Sequence, residues 1–122
     1  MAVTEDVAGG TFTRLAPHEC AEMMEAGTAV MLDIREIHEF DAERIPGAIL
    51  APMQEIIPGA LPTQDAKKLI LQCRSGGRTA NVAHALIGMG AFSEMAHLEG
   101  GILAWKAQGL PTICPDPSRA VT

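Results

Sequence analysis

Aromatic side chains are scarce in this sequence of 122 residues. They make up 3% of the chain and consist of Phe12, Phe40, Phe92 and Trp105. Because hydrophobic residues still account for 48% of the sequence, the chain can build a core, which must be mainly aliphatic with Met and Ala filling gaps. A chain of this length can bury roughly two-thirds of its unfolded surface in one domain, so it needs neither a metal nor a disulfide to fold.

Basic residues and long apolar runs are also in short supply, and both absences exclude classes of partner. Lys and Arg number 9 against 15 Asp and Glu, for a formal net charge of −6. A nucleic-acid or anionic-membrane surface needs a basic face, so neither partner is predicted. No apolar run approaches the roughly 20 residues that span a bilayer, and the first ten residues lack the basic segment of a secretory signal. We therefore expect a cytoplasmic protein.

The three cysteines are too few and too scattered to indicate a disulfide framework, which favours a reduced compartment. Cys20 lies on the apolar face of a predicted helix that begins at Pro17, so it is predicted to be a core residue. Cys114 lies in a Pro-rich tail and is either a loosely packed thiol or a resolving thiol that reaches Cys73 under oxidation.

The hydrophobic pattern predicts strands that alternate with helices. Continuous apolar runs at 29–34 and 69–72 are typical of strands buried on both faces of a parallel sheet. Shorter strands are predicted at 12–13, as an edge strand, and at 48–50 and 95–98; helices are predicted at 17–27, 35–43, 78–87 and from 101 to 109. This alternation predicts an α/β domain with a mainly parallel sheet. We expect a flexible segment over residues 1–10, the domain over 11–111 and a non-helical tail over 112–122.

Charged residues surround the first buried strand. Asp33 interrupts its apolar run, and a buried carboxylate needs a partner, which Arg35 or a loop arginine could supply. We predict that Asp33 and Arg35 have a structural role, with orientation of the loop at 73–78, described next, as a secondary role. A nearby acidic cluster is predicted to be a solvated face or, alternatively, a docking surface for a basic partner: Glu36, Glu39, Asp41 and Glu43.

The most specific chemical signal is a loop between a predicted strand and a predicted helix, residues 73–78, with the sequence Cys-Arg-Ser-Gly-Gly-Arg. Ligands of α/β domains bind beyond the carboxyl ends of the strands. The small residues let the backbone curl round the Cys73 sulfur with its N–H groups inward, and the helix adds the positive end of its dipole. Together with Arg74 and Arg78 these features favour a thiolate, so Cys73 is a candidate nucleophile. The alternative is a buried cysteine beside an ordinary Gly-Gly turn.

The four histidines show no metal-ligand spacing with one another or with the cysteines, and no metal site is predicted. Each is predicted to be a surface or core residue rather than a base: His18, His38, His84 and His97.

Three stretches of the chain resemble the rhodanese (thiosulfate sulfurtransferase) family. The first is residues 32–36 (Leu-Asp-Ile-Arg-Glu) running on to 44–48 (Arg-Ile-Pro-Gly-Ala), the second is the loop 73–78, and the third is 98–101 (Leu-Glu-Gly-Gly) followed by Trp105 and 109–111 (Gly-Leu-Pro). They keep the order and approximate spacing of a single rhodanese domain. The resemblance implies a rhodanese-like α/β fold, with a central, mainly parallel sheet flanked by helices on both faces.

The resemblance also implies an enzyme of the thiosulfate sulfurtransferase type that works without a metal or organic cofactor. Cys73 would carry a persulfide, taking sulfane sulfur from a small anionic donor such as thiosulfate or a persulfide and passing it to a thiol or cyanide. The remaining loop residues would bind the donor and the anionic outer sulfur: Arg74, Ser75, Gly76, Gly77 and Arg78.

Two other functions share parts of this motif. A sulfur-relay module, which would carry persulfide between partner proteins, would have the same loop, so the sequence does not separate it from an enzyme. A phosphatase or arsenate reductase is disfavoured, because protein tyrosine phosphatases place five residues between their Cys and Arg. Here four residues, 74–77, lie between Cys73 and Arg78, which makes a smaller cradle suited to one sulfur atom.

Overall fold

The computed structural model describes residues 2–57, 61 and 67–122. Its strands and helices follow in the order β1 (Val3–Val7), β2 (Gly10–Leu15), α1 (Pro17–Glu25), β3 (Ala29–Asp33), α2 (Ile37–Ala42), β4 (Ile49–Leu50), β5 (Lys68–Gln72), α3 (Gly77–Gly88), β6 (Glu94–Leu98) and α4 (Gly101–Ala107). The described strands form a six-stranded sheet in the order β1-β2-β6-β5-β3-β4. Its pairings are parallel except for the antiparallel pair β1–β2, so the mainly parallel sheet is confirmed.

Two hydrophobic clusters hold helices against opposite faces of this sheet. Because side chains alternate along a strand, Val30 and Leu32 of β3 join one cluster while Met31 joins the other. Helix α3 packs on the first cluster, and α1 and α4 supply Cys20, Ile102 and Trp105 to the second. Helices therefore flank both faces, as the sequence predicts.

The N-terminal segment differs from the sequence-based expectation. The sequence predicts a flexible segment up to residue 10 and an edge strand at 12–13, whereas Val3–Val7 forms a strand that places β2 between β1 and β6. The pattern is missed because β1 is almost entirely exposed and contains Glu5 and Asp6. Its main-chain pairing with β2, joined through Gly9 at a positive φ of 100°, forms the hairpin without a hydrophobic face.

The C-terminal tail packs against the domain and is not fully extended. Arg44 and Ile113 exchange two main-chain hydrogen bonds of 3.0 and 2.8 Å. Residues Pro117–Arg119 form a 3₁₀ turn, so the prediction of a tail without helix is wrong there. The helix predicted at 35–43 is also shorter, since α2 covers only Ile37–Ala42.

No helix in the described part of the chain is both long enough and apolar enough to cross a membrane.

Two strand-to-helix turns lie side by side at the carboxyl edge of the sheet. Strand β5 ends at Gln72 and α3 begins at Gly77, while β6 ends at Leu98 and α4 begins at Gly101. Parallel pairing places Leu71 opposite His97, so the two turns emerge at the same level. The loop predicted to carry the chemistry is the first of these turns.

Candidate active site

Cys73 is the first residue beyond β5, and its side chain is held inside the loop that follows. The residue is 1% exposed, and the main-chain N–H of Gly76 donates to its Sγ at 3.1 Å. Gly76 makes this turn with a φ of 101°, a conformation that residues with a Cβ rarely adopt. Arg74 and Ser75 stand exposed at the rim of the loop. The loop therefore surrounds the buried sulfur and places one main-chain donor, the Gly76 N–H, on it.

The start of helix α4 packs against the loop 73–78 and donates hydrogen bonds to it. The N–H groups of Ile102 and Leu103 donate to the carbonyl oxygens of Cys73 and Arg74 at 2.9 and 3.2 Å. A Cβ on Gly101 would lie 2.2 Å from the Cys73 carbonyl oxygen, so only glycine permits this approach. The contact fixes the two carbonyl groups and with them the orientation of the peptide planes around the sulfur.

The two loop arginines both have partners in the structure. Arg78 forms two hydrogen bonds of 2.8 and 3.0 Å to the carboxylate of Glu39, which joins α3 to α2. The hydrogen bonds from Arg78 lower the pKa of Glu39 to about 2, and the same contact raises the pKa of Arg78. Arg74 donates to the main-chain oxygen of Thr122, in the tail. The charge of Arg78 is thus matched by a carboxylate, which the sequence pattern did not indicate.

Asp33 and Arg35 form a fully buried ion pair beside the loop. Arg35 reaches the two carboxylate oxygens through Nε at 2.9 and 3.1 Å and through a terminal nitrogen at 2.8 Å. The side chain of Gln72, the residue before Cys73, donates to the same carboxylate at 3.2 Å. The pair therefore connects the end of β3 to the end of β5, where the loop begins.

Glu43 is buried rather than solvated, which corrects the predicted acidic face. Its carboxylate accepts hydrogen bonds from Lys106 Nζ at 2.8 Å, Thr112 Oγ1 at 2.5 Å and the Val121 N–H at 2.7 Å. Burial acts to raise the pKa of Glu43, but these hydrogen bonds and the Lys106 charge outweigh it and lower the pKa below its ordinary value. Because these partners are 63 to 78 residues away in sequence, local charge spacing could not reveal them.

The sequence does not indicate that Thr79 contacts Cys73 or that His97 contacts Thr79. The hydroxyl of Thr79, the third residue of α3, lies 3.6 Å from the Cys73 sulfur and 2.7 Å from Nδ1 of His97. His97 is a core residue, which is one of the two positions that the sequence predicts for it. Its contact with Thr79 depends on the pairing of β5 with β6. The one local feature of the sequence that could indicate the contact of Thr79 with Cys73 is its position directly after Arg78, in a helix that begins in the loop.

The other two cysteines lie apart from this arrangement. Cys20 is buried in the cluster beneath α1, and burial raises the pKa of its thiol to about 12. Cys114 lies in the tail, where its Sγ contacts the carbonyl oxygen of Asp116 at 3.4 Å. All three cysteines are free. Among the residues that the structure describes, no cluster of His, Cys, Asp or Glu is arranged to hold a metal ion.

The family of the chain is indicated by a model described as "Rhodanese-like domain", which matches residues 16–108. That range contains four of the six strands of the sheet, the loop 73–78 and α4.

Curated relatives and a solved structure agree with this match. The chain is 36% identical over 107 residues to a probable adenylyltransferase/sulfurtransferase MoeZ of Mycobacterium tuberculosis, covering 84% of this chain and 26% of that protein. It is 28% identical over 96 residues to a thiosulfate sulfurtransferase GlpE of Pseudomonas savastanoi pv. phaseolicola, covering 79% of this chain and 89% of that protein. A crystal structure of thiosulfate sulfurtransferase from Pseudomonas aeruginosa superposes with a TM-score of 0.74 at 25% identity. The superposition covers 84% of this chain and 20% of that one. Other relatives are also longer, and the chain spans about half their length.

Proposed function

This chain belongs to the rhodanese-like domain family, and we propose that it is a sulfurtransferase in which Cys73 accepts sulfane sulfur from an anionic donor such as thiosulfate. The acceptor in this proposal is a thiol or cyanide. The observation that carries the proposal is the enclosure of the Cys73 sulfur by the loop, with the Gly76 N–H donating to it at 3.1 Å. A main-chain donor at that position suits a sulfur atom that bears negative charge.

The proposed reaction proceeds by two displacements at sulfur. The Cys73 thiolate attacks the outer sulfur of thiosulfate, the sulfur–sulfur bond of the donor breaks, and sulfite leaves with the electron pair. The acceptor, a thiolate or cyanide, then attacks the outer sulfur of the Cys73 persulfide, and the Cys73 thiolate leaves. A covalent intermediate divides one difficult transfer into two easier steps. The Gly76 N–H, which donates to the Cys73 sulfur at 3.1 Å, stabilises the negative charge on that sulfur when it attacks and when it leaves.

The binding residues in this proposal are those of the loop, 74–78, with Asp33 and Arg35 supporting it from below. Arg74 is exposed at the rim, where it attracts an anionic donor. Arg78 is bound to Glu39 by two hydrogen bonds, so we assign it chiefly to holding the start of α3 in place. A reducing compartment such as the cytoplasm would keep the three free cysteines as thiols.

A sulfur relay is the second candidate function. It is favoured by the similarity to MoeZ, whose name combines adenylyltransferase and sulfurtransferase, and of which the chain matches only 26%. In a relay, Cys73 would receive its sulfur from a protein persulfide and pass it to a protein acceptor. The small, enclosed position of Cys73 then requires that the partner present its sulfur at the rim formed by Arg74 and Ser75.

The sulfurtransferase proposal is tested by incubating the protein with thiosulfate and cyanide and measuring thiocyanate. Cys73→Ser should reduce turnover to background, because the hydroxyl replaces the sulfur nucleophile of the covalent step. Cys114→Ser, which removes a thiol in the tail, should retain the wild-type rate. Sustained turnover by Cys73→Ser would contradict the proposal.

Intact mass spectrometry separates the enzyme from the relay. Incubation with thiosulfate should add the mass of one sulfur atom to the wild-type protein and nothing to Cys73→Ser. Loading by a protein persulfide without loading by thiosulfate would favour the relay. If neither donor loads Cys73, both functions are wrong.

A further inference from the structure

A continuous set of polar contacts leads from the Cys73 sulfur to the protein surface. Cys73 Sγ lies 3.6 Å from Thr79 Oγ1, which lies 2.7 Å from Nδ1 of His97. The other ring nitrogen of His97, Nε2, lies 3.2 Å from a carboxylate oxygen of Glu99. His97 and Thr79 are fully buried, whereas the Glu99 side chain is 50% exposed. The contacts thus join a buried thiol, a hydroxyl, an imidazole and a carboxylate in that order.

The single proton of the Thr79 hydroxyl has three acceptors within reach. They are the carbonyl oxygen of Gly76 at 3.0 Å, Nδ1 of His97 and the Cys73 sulfur. The Gly76 oxygen also accepts the helical hydrogen bond from the N–H of Ala80 at 3.1 Å, so it does not depend on the hydroxyl. The Thr79 proton can therefore be directed either to the imidazole or to the sulfur without leaving a buried carbonyl unsatisfied.

The protonation of His97 decides between these two directions. The negative charge of Glu99 lies 3.2 Å from Nε2, although no aligned hydrogen bond joins the two groups, and it favours a proton on Nε2. In the neutral ring this leaves Nδ1 as an acceptor for the Thr79 hydroxyl. When both nitrogens carry protons, Nδ1–H donates to Thr79 Oγ1, and the hydroxyl proton is then free to donate to the sulfur. A protonated His97 is thus compatible with a hydrogen-bonded Cys73 thiolate, and a neutral one with the thiol.

We propose that His97 takes up the proton of Cys73 through Thr79, an inference that rests on the proposed use of Cys73 as a nucleophile. The S–H bond of Cys73 breaks and its proton passes to Thr79 Oγ1 while the hydroxyl proton of Thr79 passes to His97 Nδ1. The electron pair stays on sulfur, Thr79 remains neutral, and the imidazolium that forms faces Glu99. His97 acts on Cys73 through another residue, so it is a positioning residue of the site.

The groups around His97 together favour its neutral form before the transfer. Burial is the main cause that lowers the pKa of His97; Arg14 on β2 and His84 on α3 act in the same direction, and Glu99 opposes them. Arg14 forms ion pairs with two carboxylates, at 3.5 Å from Glu99 and 3.1 Å from Glu5. His97 therefore stays neutral while Cys73 is a thiol. The negative charge created on the sulfur then favours the imidazolium.

Glu99→Gln tests the proposal, because the proposed transfer and a simple charge effect change the rate of Cys73 alkylation in opposite directions. A carboxylate acting only through space disfavours a nearby thiolate, so its removal would speed alkylation of Cys73. The proposed transfer requires the opposite, because without Glu99 the imidazolium loses its partner and the thiolate fraction falls. We expect the rate of alkylation by iodoacetamide at about pH 7 to drop roughly threefold, in keeping with a partly exposed charge pair. The rate should recover near pH 9.5, where a thiol ionises without assistance.

The measurement is made in a Cys114→Ser background, with Cys73 modification followed by peptide mass spectrometry. Glu94→Gln, which removes an exposed carboxylate at the other end of β6, is the matched control and should leave the rate unchanged. His97→Asn should also slow alkylation at neutral pH, because an amide can donate to Thr79 but cannot take up a proton, while Thr79→Ser should retain the wild-type pH profile. An unchanged or faster rate in Glu99→Gln would overturn the proposal. Alkylation requires no sulfur donor, so this result is independent of the sulfurtransferase assay.

Discussion

At the scale of single residues, the interior beside the loop contains a fully buried ion pair. Asp33 and Arg35 are both fully buried, and their three hydrogen bonds satisfy both carboxylate oxygens. Two charges taken out of water contribute little net stability when paired, but removing one partner leaves an uncompensated buried charge. Because the same carboxylate also accepts from Gln72, its loss would be transmitted to the residue that precedes Cys73.

Replacing Asp33 by Asn removes this charge while keeping the shape of the side chain. We expect Asp33→Asn to lower the free energy of unfolding by about 3 kcal/mol, because the buried guanidinium of Arg35 then lacks a counter-charge. Urea denaturation at neutral pH measures the change. Asp41→Asn, the same substitution at an exposed position of α2, should stay within about 0.5 kcal/mol of wild type. Equal losses in the two variants would show that Arg35 does not depend on Asp33.

At the scale of elements, the two adjacent strand-to-helix turns act as one unit. The start of α4 donates two hydrogen bonds to the carbonyl groups of the loop 73–78, and Gly101 lies where a side chain would meet that loop. Gly101, the first residue of α4, is therefore needed for the close approach of α4 to this loop.

Gly101→Ala should damage the loop, and Gly109→Ala provides a matched control. Both glycines have positive φ, at 61° and 76°, so both variants carry the cost of about 1–2 kcal/mol of a left-handed residue with a Cβ. Only at Gly101 does the new Cβ collide with backbone, at 2.2 Å from the Cys73 oxygen, whereas at Gly109 it meets nothing within 4 Å. We expect a larger loss of unfolding free energy and of sulfur transfer in Gly101→Ala. Similar values for the two variants would mean that the loop can shift away without consequence.

The elements also show which parts of the fold the sequence could predict. Strands β3 and β5 were recognised because both are apolar on two faces, and the loop 73–78 because its residues are contiguous. Strand β1 was missed because main-chain pairing forms it, while its side chains remain exposed. The contact of Thr79 with His97 depends on the register Leu71↔His97 between two strands. No local pattern encodes such a register, so this part of the site became visible only with the structure.

At the scale of the whole molecule, Glu43 ties three distant parts of the chain together. Its carboxylate binds Lys106 of α4 together with Thr112 and Val121 of the tail, and its own carbonyl accepts from Arg35 at 2.7 Å. The tail is thereby fastened to the same network that supports the end of β3.

The charge on Glu43 makes the attachment of the tail sensitive to acid. The pKa of Glu43 in the folded protein is lower than in the unfolded chain, where a glutamate titrates at about 4.3. A group with a lowered folded pKa stabilises the protein above its unfolded pKa, and this contribution is lost as the pH falls through the folded value. The tail should therefore be held at neutral pH and released as the pH falls below about 4.

Glu43→Gln should release the tail at neutral pH, because the amide lacks the charge that attracts Lys106 and has one acceptor oxygen where the carboxylate uses two. We expect trypsin to cleave after Arg119 several times faster than in wild type. Glu22→Gln, an exposed position on α1, should leave that rate unchanged. In wild type, the Val121 amide should lose protection from hydrogen exchange as the pH falls below about 4, and in Glu43→Gln it should already be unprotected at neutral pH. Equal cleavage rates in the two variants would mean that the hydrogen bonds between Arg44 and Ile113 hold the tail without Glu43.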